Sequence, residues 1–192
     1  KNLNIEDWNV TRIRHMDCLF LVTRYFNMNI GNWDVSNVEN MEYMFYNAKT
    51  FNINIGNWDV SNVRNMEYMF HNAINFNQDL NNWDVSNVEN MSGMFDHALF
   101  FNGDISNWNV QNVEDMSFMF HSAYKFNRDI SKWDVKNVKT MKGMFQDASR
   151  FNVDLSSWNV QNVENMSWMF NCAWNFNCNS WNILWCGTCN FW

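Results

Sequence analysis

The sequence contains no proline and only 6 glycines among 192 residues, so it offers no linker rich in either residue. No apolar run is long enough to cross a bilayer, and we expect neither a transmembrane helix nor a signal peptide. Basic residues are also scarce, because 13 Lys and Arg stand against 20 Asp and Glu, for a net charge of -7. Since nucleic-acid binding needs clustered positive charge, we expect no nucleic-acid partner. The lack of a long apolar run likewise predicts that this segment does not insert into a membrane.

In place of these features the chain has a repeat of 25 residues, typified by the stretch from Phe76 to Phe100. Aromatic, Met and Val residues recur in columns one period apart. The Trp column is Trp8, Trp33, Trp58, Trp83, Trp108, Trp133 and Trp158, and the Met column is Met16, Met41, Met66, Met91, Met116, Met141 and Met166. A fixed period of this length predicts coils that bury their apolar faces against one another. We therefore divide the chain into a repeat region, residues 1–177, and a C-terminal cap rich in Cys and Trp, residues 178–192.

The apolar spacing changes within each unit, and this change predicts two elements. Leu80, Trp83 and Val85 alternate with polar neighbours, as in a short strand. The following apolar residues have the spacing of one helix face, and they are Val88, Met91, Met94, Phe95 and Ala98. The predicted fold is an α/β solenoid, leucine-rich-repeat-like, with one short parallel strand and one short helix in each coil and about seven coils.

The unit FNxDISxWDVSNVxNMxxMFxxA resembles the 25-residue repeats of the BspA-like leucine-rich-repeat family, in the branch found in mycoplasma lipoproteins, bacterial surface proteins, and some protist and large-virus proteins. The resemblance extends from Asn2 to about Asn177. It implies a surface-displayed repeat protein, used for adhesion or protein binding, without catalysis.

Four of the 5 cysteines lie near the C-terminus, at Cys172, Cys178, Cys186 and Cys189. The last coil has no successor to cover it, so we expect these residues to form two disulfides that hold the cap over it. Zinc ligation and four free buried thiols remain as alternatives, and the pairing among the three connectivities stays open.

No constellation of residues in the sequence indicates catalysis, a cofactor or a metal. The histidines His15, His71, His97 and His121 do not recur in one column with a carboxylate or thiol. We interpret them as solvated side chains on the outer face of the helices. We therefore expect no enzyme activity, no cofactor and no metal site.

Two surfaces are candidates for recognition. On the predicted strand side, Asp columns form an acidic ladder that includes Asp79, Asp84, Asp104, Asp129, Asp134 and Asp154. Those carboxylates have a structural interpretation, as hydrogen-bond acceptors for turns, and a functional one, as a binding strip for cations, polar groups or glycans. On the predicted helical side, a column that varies from unit to unit holds Tyr43, Tyr68, Gly93, Phe118, Gly143 and Trp168. Variation within a rigid period is where repeat proteins usually place specificity.

We expect a non-catalytic binding or adhesion protein, extracellular or at a cell surface, or alternatively at a virion surface. The partner would be a protein or a glycan, and self-association is compatible with the repeat. A structural spacer or assembly module is the alternative, and a carbohydrate-active enzyme is a third hypothesis that the lack of a convergent acid-base pair disfavours.

Overall fold

The structure is a computed structural model that describes residues 4–177. Within that range the single helix is a 3-10 turn, Ile5–Asp7. The β structure of the same range consists of isolated parallel bridges between residues one period apart. These bridges are His15–Asn40, Asn40–Asn65, Asn65–Asn90, Asn90–Asp115, Asp115–Thr140 and Thr140–Asn165. The predicted α/β, leucine-rich-repeat-like fold, with a strand and a helix in each coil, is therefore wrong.

The segment predicted to be helical is a series of tight turns. In one coil, Tyr68 and Asn72 have φ of 50° and 53°, in the left-handed region, whereas an α-helix needs φ near -63°. The peptide N–H of Met69 donates to the Met66 carbonyl three residues back, at 3.2 Å, which closes a turn. The N–H of Phe70 instead donates to the carbonyl of Met94 in the next coil, at 2.9 Å. Successive backbone N–H groups thus donate alternately to a carbonyl of the same turn and to a carbonyl of the following coil.

Every coil repeats this pair of left-handed residues four positions apart. The pairs are Cys18 and Val22, Tyr43 and Asn47, Tyr68 and Asn72, Gly93 and His97, Phe118 and Ser122, Gly143 and Asp147, and Trp168 and Cys172. Consecutive turns direct a side chain inwards every three or four residues, as a helix does. The apolar spacing was therefore consistent with both structures, and the interpretation as a helix was incorrect.

Turns also replace the predicted strand. The N–H of Trp83 donates to the Leu80 carbonyl at 3.0 Å, and the N–H of Val88 donates to the Val85 carbonyl at 2.9 Å. In a strand, these backbone N–H and C=O groups would instead form hydrogen bonds with a neighbouring strand. The apolar residues of this segment still face the core, because Leu80, Trp83 and Val85 are all buried.

The core is a set of stacked side chains, one from each coil in each column. Phe70 and Phe95 lie parallel with ring centroids 5.5 Å apart, and Phe95 also stacks on Phe101 at 3.8 Å. The Trp column is buried from Trp33 to Trp158, and each of its indole N–H groups donates to a backbone carbonyl of the preceding coil. These carbonyls belong to Ile5, Ile30, Ile55, Leu80, Ile105 and Ile130, at 2.8–3.2 Å. Since the polar atom of each Trp is paired, the large ring is buried without leaving an unsatisfied donor.

Asparagine side chains join the coils at the surface. The side-chain oxygen of Asn77 accepts the N–H of Asn102 at 2.8 Å, and that of Asn102 accepts the N–H of Asn127 at 2.9 Å. The Asn that follows each Phe of the repeat therefore supplies a hydrogen bond that the turn backbone of the next coil needs.

The predicted C-terminal cap, residues 178–192, lies outside the described residues, as do Cys178, Cys186 and Cys189. No disulfide joins two residues of the range 4–177, in which Cys18 has a free thiol and Cys172 is half-buried. The predicted disulfides accordingly have no support. Across residues 4–177 no helix has the length and apolar character that a membrane span requires.

Candidate functional site

The outward side of the turn segment, here called the turn face, carries residues that differ between coils. It comprises the column of Tyr43, Tyr68, Gly93, Phe118, Gly143 and Trp168, together with the outward residues three and four positions later in each coil. Tyr43 and Tyr68 stack with ring centroids 5.4 Å apart. Beyond them the column alternates large and small residues, because the Tyr68 ring lies over Gly93 and the Phe118 ring lies over Gly143.

The turn face ends in an exposed aromatic side chain. Trp168 is 59% exposed, and the ammonium of Lys142 lies 5.2 Å from its ring centroid and 5.6 Å from that of Phe118. Cation–π contacts of this kind hold a charged group and two aromatic surfaces in one patch. The structure thus places the predicted residues Phe118 and Trp168 together, and Tyr43 with Tyr68.

Three of the 4 histidines meet at one buried carboxylate in the middle of the turn face. The Nδ1 atoms of His71, His97 and His121 lie 2.9, 2.6 and 2.8 Å from the carboxylate oxygens of Asp96. The Asp96 side chain is only 10% exposed, and those of His71 and His121 are 18% and 20% exposed. The interpretation of these histidines as solvated and unrelated was therefore incorrect, and only His15, outside this cluster, is an exposed histidine of that kind.

The contacts in this cluster favour the ionised form of Asp96 and the protonated form of His97. Burial of Asp96 raises the pKa of its carboxyl, but hydrogen bonds from His121, His71 and His97 outweigh that effect and hold the pKa well below its usual range. The hydrogen bond to Asp96 raises the pKa of His97, against the opposing effect of burial. Asp96 is therefore an anion held among imidazoles, an arrangement that can bind a proton or a cation.

A signal for this cluster is present in the sequence. The outward column three residues after the variable one has the members Leu21, Tyr46, His71, Asp96, His121, Gln146 and Asn171. Three consecutive coils therefore supply His, Asp and His at the same position, and stacking brings these into contact. This signal differs from the columns that define the repeat, because it is confined to three coils and does not recur along the chain.

The Asp columns make turns. Oδ1 of Asp129 accepts the N–H of Ser131 at 3.0 Å, two residues later, and Asp84 and Asp134 accept the N–H of Ser86 and Lys136 in the same way. The same Asx turn forms at Asp104 and Asp154, with N–H donors 3.0 and 2.9 Å away. Oδ1 of Asp79 accepts the N–H of Asp104 at 2.7 Å. The structural interpretation of these residues therefore accounts for their spacing.

Hydrogen bonds from the residues two positions later lower the pKa of four of these carboxyls. They are Asp34, Asp104, Asp129 and Asp134. A carboxyl whose pKa is lower in the folded state stabilises the fold above its unfolded pKa, about 3.9, and loses that contribution as the pH falls through the folded value. We expect the melting temperature, measured by Trp fluorescence, to fall when the pH is lowered from 5 towards 2.

The matched control for this prediction replaces Asp34, Asp104, Asp129 and Asp134 with Asn. Asn109 and Asn159 already form the same turn without a titrating group, at 3.3 and 3.2 Å from the N–H groups of Gln111 and Gln161. The variant should melt near the wild-type temperature at pH 7 and lose less stability in acid. Equal acid sensitivity in both proteins would contradict the prediction.

Comparison with known proteins identifies a family. A family described as "Mycoplasma protein of unknown function, DUF285" matches the chain twice, over residues 1–104 and 75–183. No curated protein matches the chain.

Proposed function

We propose that this chain, which belongs to the family of Mycoplasma proteins of unknown function DUF285, is a non-catalytic binding protein that recognises a protein or glycan partner at a cell surface. The finer resemblance to BspA-like surface proteins supports display and adhesion as the context. The turn face is the recognition surface in this proposal.

The observation that carries the proposal is the contrast between inward and outward columns. Inward positions repeat the same residue types from coil to coil, and from Ile30 to Leu155 they are buried. Outward positions on the turn face vary between coils and include aromatic rings within reach of solvent. Trp, Tyr and Arg side chains most often dominate binding energy, and aromatic rings on a rigid support present contact area at low entropic cost.

The Asp columns are the weaker candidate for the same role. Most of their carboxylates already accept hydrogen bonds from the backbone of their own turn, and an exposed ion pair with a ligand would add little. We therefore assign them to turn formation and place recognition on the patch of Phe118, Lys142 and Trp168.

The test is saturable binding of the fluorescently labelled chain to cultured animal cells and to a glycan array. We expect the double variant Lys142→Ala and Trp168→Ala to bind at least about tenfold more weakly, as for loss of an interface hot spot. Tyr25→Ala is the matched control, because Tyr25 is 88% exposed and lies outside the turn face. Pretreating the cells with protease or with glycosidases distinguishes a protein partner from a glycan.

A second variant changes Asp79, Asp84, Asp104, Asp129 and Asp134 together to Asn. If this variant loses binding while the double variant retains it, recognition lies on the Asp columns and our assignment is wrong. Absence of saturable binding to both cells and array would refute adhesion and favour the spacer hypothesis.

A further inference from the structure

We propose that the cluster of His71, Asp96, His97 and His121 binds one divalent transition-metal ion of the zinc, cobalt, nickel or copper type. The inference is independent of the proposed binding function, because it concerns a buried group of donors and not the exposed aromatic patch.

The donor set decides the class of ion. Imidazole nitrogens with one carboxylate oxygen are the ligands that proteins use for Zn²⁺ and its neighbours in the first transition row. Calcium and magnesium prefer sets made of oxygen atoms only, which this cluster does not offer. The nitrogen-rich donor set therefore favours transition-metal ions over calcium and magnesium.

The spacing of the donors fits an ion of this size. One donor atom from each of His71, Asp96 and His97 lies within 4.8 Å of the other two. With bonds of about 2.0–2.2 Å, the donor atoms of a tetrahedral zinc site are about 3.3–3.6 Å apart. The three Nδ1 atoms are 2.6–2.9 Å from the carboxylate oxygens. These contacts would therefore lengthen by about 0.4–1.0 Å to admit an ion. The Nδ1 of His121 is 2.8 Å from Asp96 but outside the group of donors that all lie within 4.8 Å of one another, so His121 becomes a fourth ligand only if its side chain shifts towards the ion.

Surrounding groups hold the imidazoles in place. Tyr46 stacks on His71 with ring centroids 4.3 Å apart, and Phe118 packs edge-on against His121 at 5.8 Å. The Nε2 atom of His121 lies 3.6 Å from the Oδ2 atom of Asp147. In the metal-free cluster Nδ1 of His121 carries the proton that it donates to Asp96. Metal binding would displace that proton, and the nearby Asp147 carboxylate would then favour the tautomer that keeps its proton on Nε2.

The site also has an entrance and a structural consequence. The side chain of His97 is 45% exposed, so solvent reaches the cluster from its side, while Asp96 is 10% exposed.

The four ligands come from three successive coils, since residues 71, 96 and 121 are one period apart. A bound ion would join those coils at the turn face and should raise the thermal stability of the protein.

The experiment is isothermal titration of the full chain with ZnCl₂ after dialysis against a chelator, in a background in which all 5 cysteines are replaced by serine. Removing the thiols matters because cysteines near the C-terminus are an alternative zinc site. We expect one ion per chain, a higher melting temperature with Zn²⁺, and no such rise with Ca²⁺. His71→Gln and Asp96→Asn should each weaken binding at least about 100-fold, and Asp147→Asn about 10- to 100-fold. His15→Gln is the matched control and should bind as the parent does.

Cobalt absorption of the wild-type chain gives a second measurement that does not depend on the serine background folding. Nitrogen and oxygen ligands give a d–d spectrum without the charge-transfer band of a cobalt thiolate. A thiolate band in the wild-type chain together with normal binding by the His71→Gln variant would place the metal on cysteines and overturn the proposal. Absence of binding by the folded wild-type chain would overturn it as well.

Discussion

Trp108→Ala should lower the free energy of unfolding by about 3–5 kcal/mol, because the truncation opens a cavity between two neighbouring coils. Trp108 is 3% exposed and lies between Trp83 and Trp133, with ring centroids 6.3 and 6.1 Å away. Its indole N–H donates to the Leu80 carbonyl at 2.8 Å, so the variant also leaves that buried carbonyl without this partner. Urea denaturation followed by fluorescence of the remaining Trp residues measures the change.

Two control variants separate the contributions to that loss. Trp8→Ala removes the same side chain from the first coil, where Trp8 is 48% exposed, and should cost about 1 kcal/mol or less. Trp108→Phe keeps most of the volume and removes the N–H, so it should cost less than the Ala variant. An unchanged urea midpoint for Trp108→Ala would show that the stacked Trp column does not stabilise the coils.

Gly93→Leu should destabilise the protein by about 2–4 kcal/mol, from two causes that act at the same residue. Gly93 has a φ of 60°, which costs any residue with a Cβ about 1 kcal/mol. A Cβ at this position would also overlap the ring of Tyr68, which lies across the Gly93 backbone. Non-glycine residues occupy the equivalent left-handed position at Tyr43 and Phe118, so the conformation alone is tolerated and the overlap is the larger effect.

A double-mutant cycle isolates the overlap. In a Tyr68→Ala background the space above Gly93 is open, and Gly93→Leu should then cost only the conformational part, about 1 kcal/mol. Urea midpoints of the four proteins give the coupling energy. Equal costs of Gly93→Leu in both backgrounds would contradict a close contact between Tyr68 and Gly93.

Much of this molecule could be predicted by aligning the chain with itself. The period of 25 residues placed Trp83, Met91 and Phe95 in the core, and all three are buried. The turn-forming role of Asp84 and Asp129 was among the interpretations considered, since Asp accepts N–H groups two residues on. These features depend on which residues recur and on local hydrogen bonding, and both are visible in one unit.

The backbone of each coil was decided by contacts between coils. The spacing of Met91, Met94 and Ala98 is satisfied by a helix and by consecutive turns, since both return a side chain to one face every three or four residues. The difference lies in the N–H of Phe95, which donates to the carbonyl of Met119 in the next coil at 2.9 Å instead of to its own helix. The local pattern does not show a hydrogen-bond partner 24 residues away, so the apolar spacing was interpreted as a helix.

The histidine cluster was likewise fixed by stacking. His71 and Asp96 are far apart in the chain, and their contact exists because each occupies the same place in successive coils. The sequence by itself determined the period, the inward columns and the acidic charge of the surface. Only the tertiary structure decided that the coils are built from turns and that one carboxylate gathers three imidazoles, because both depend on hydrogen bonds between coils.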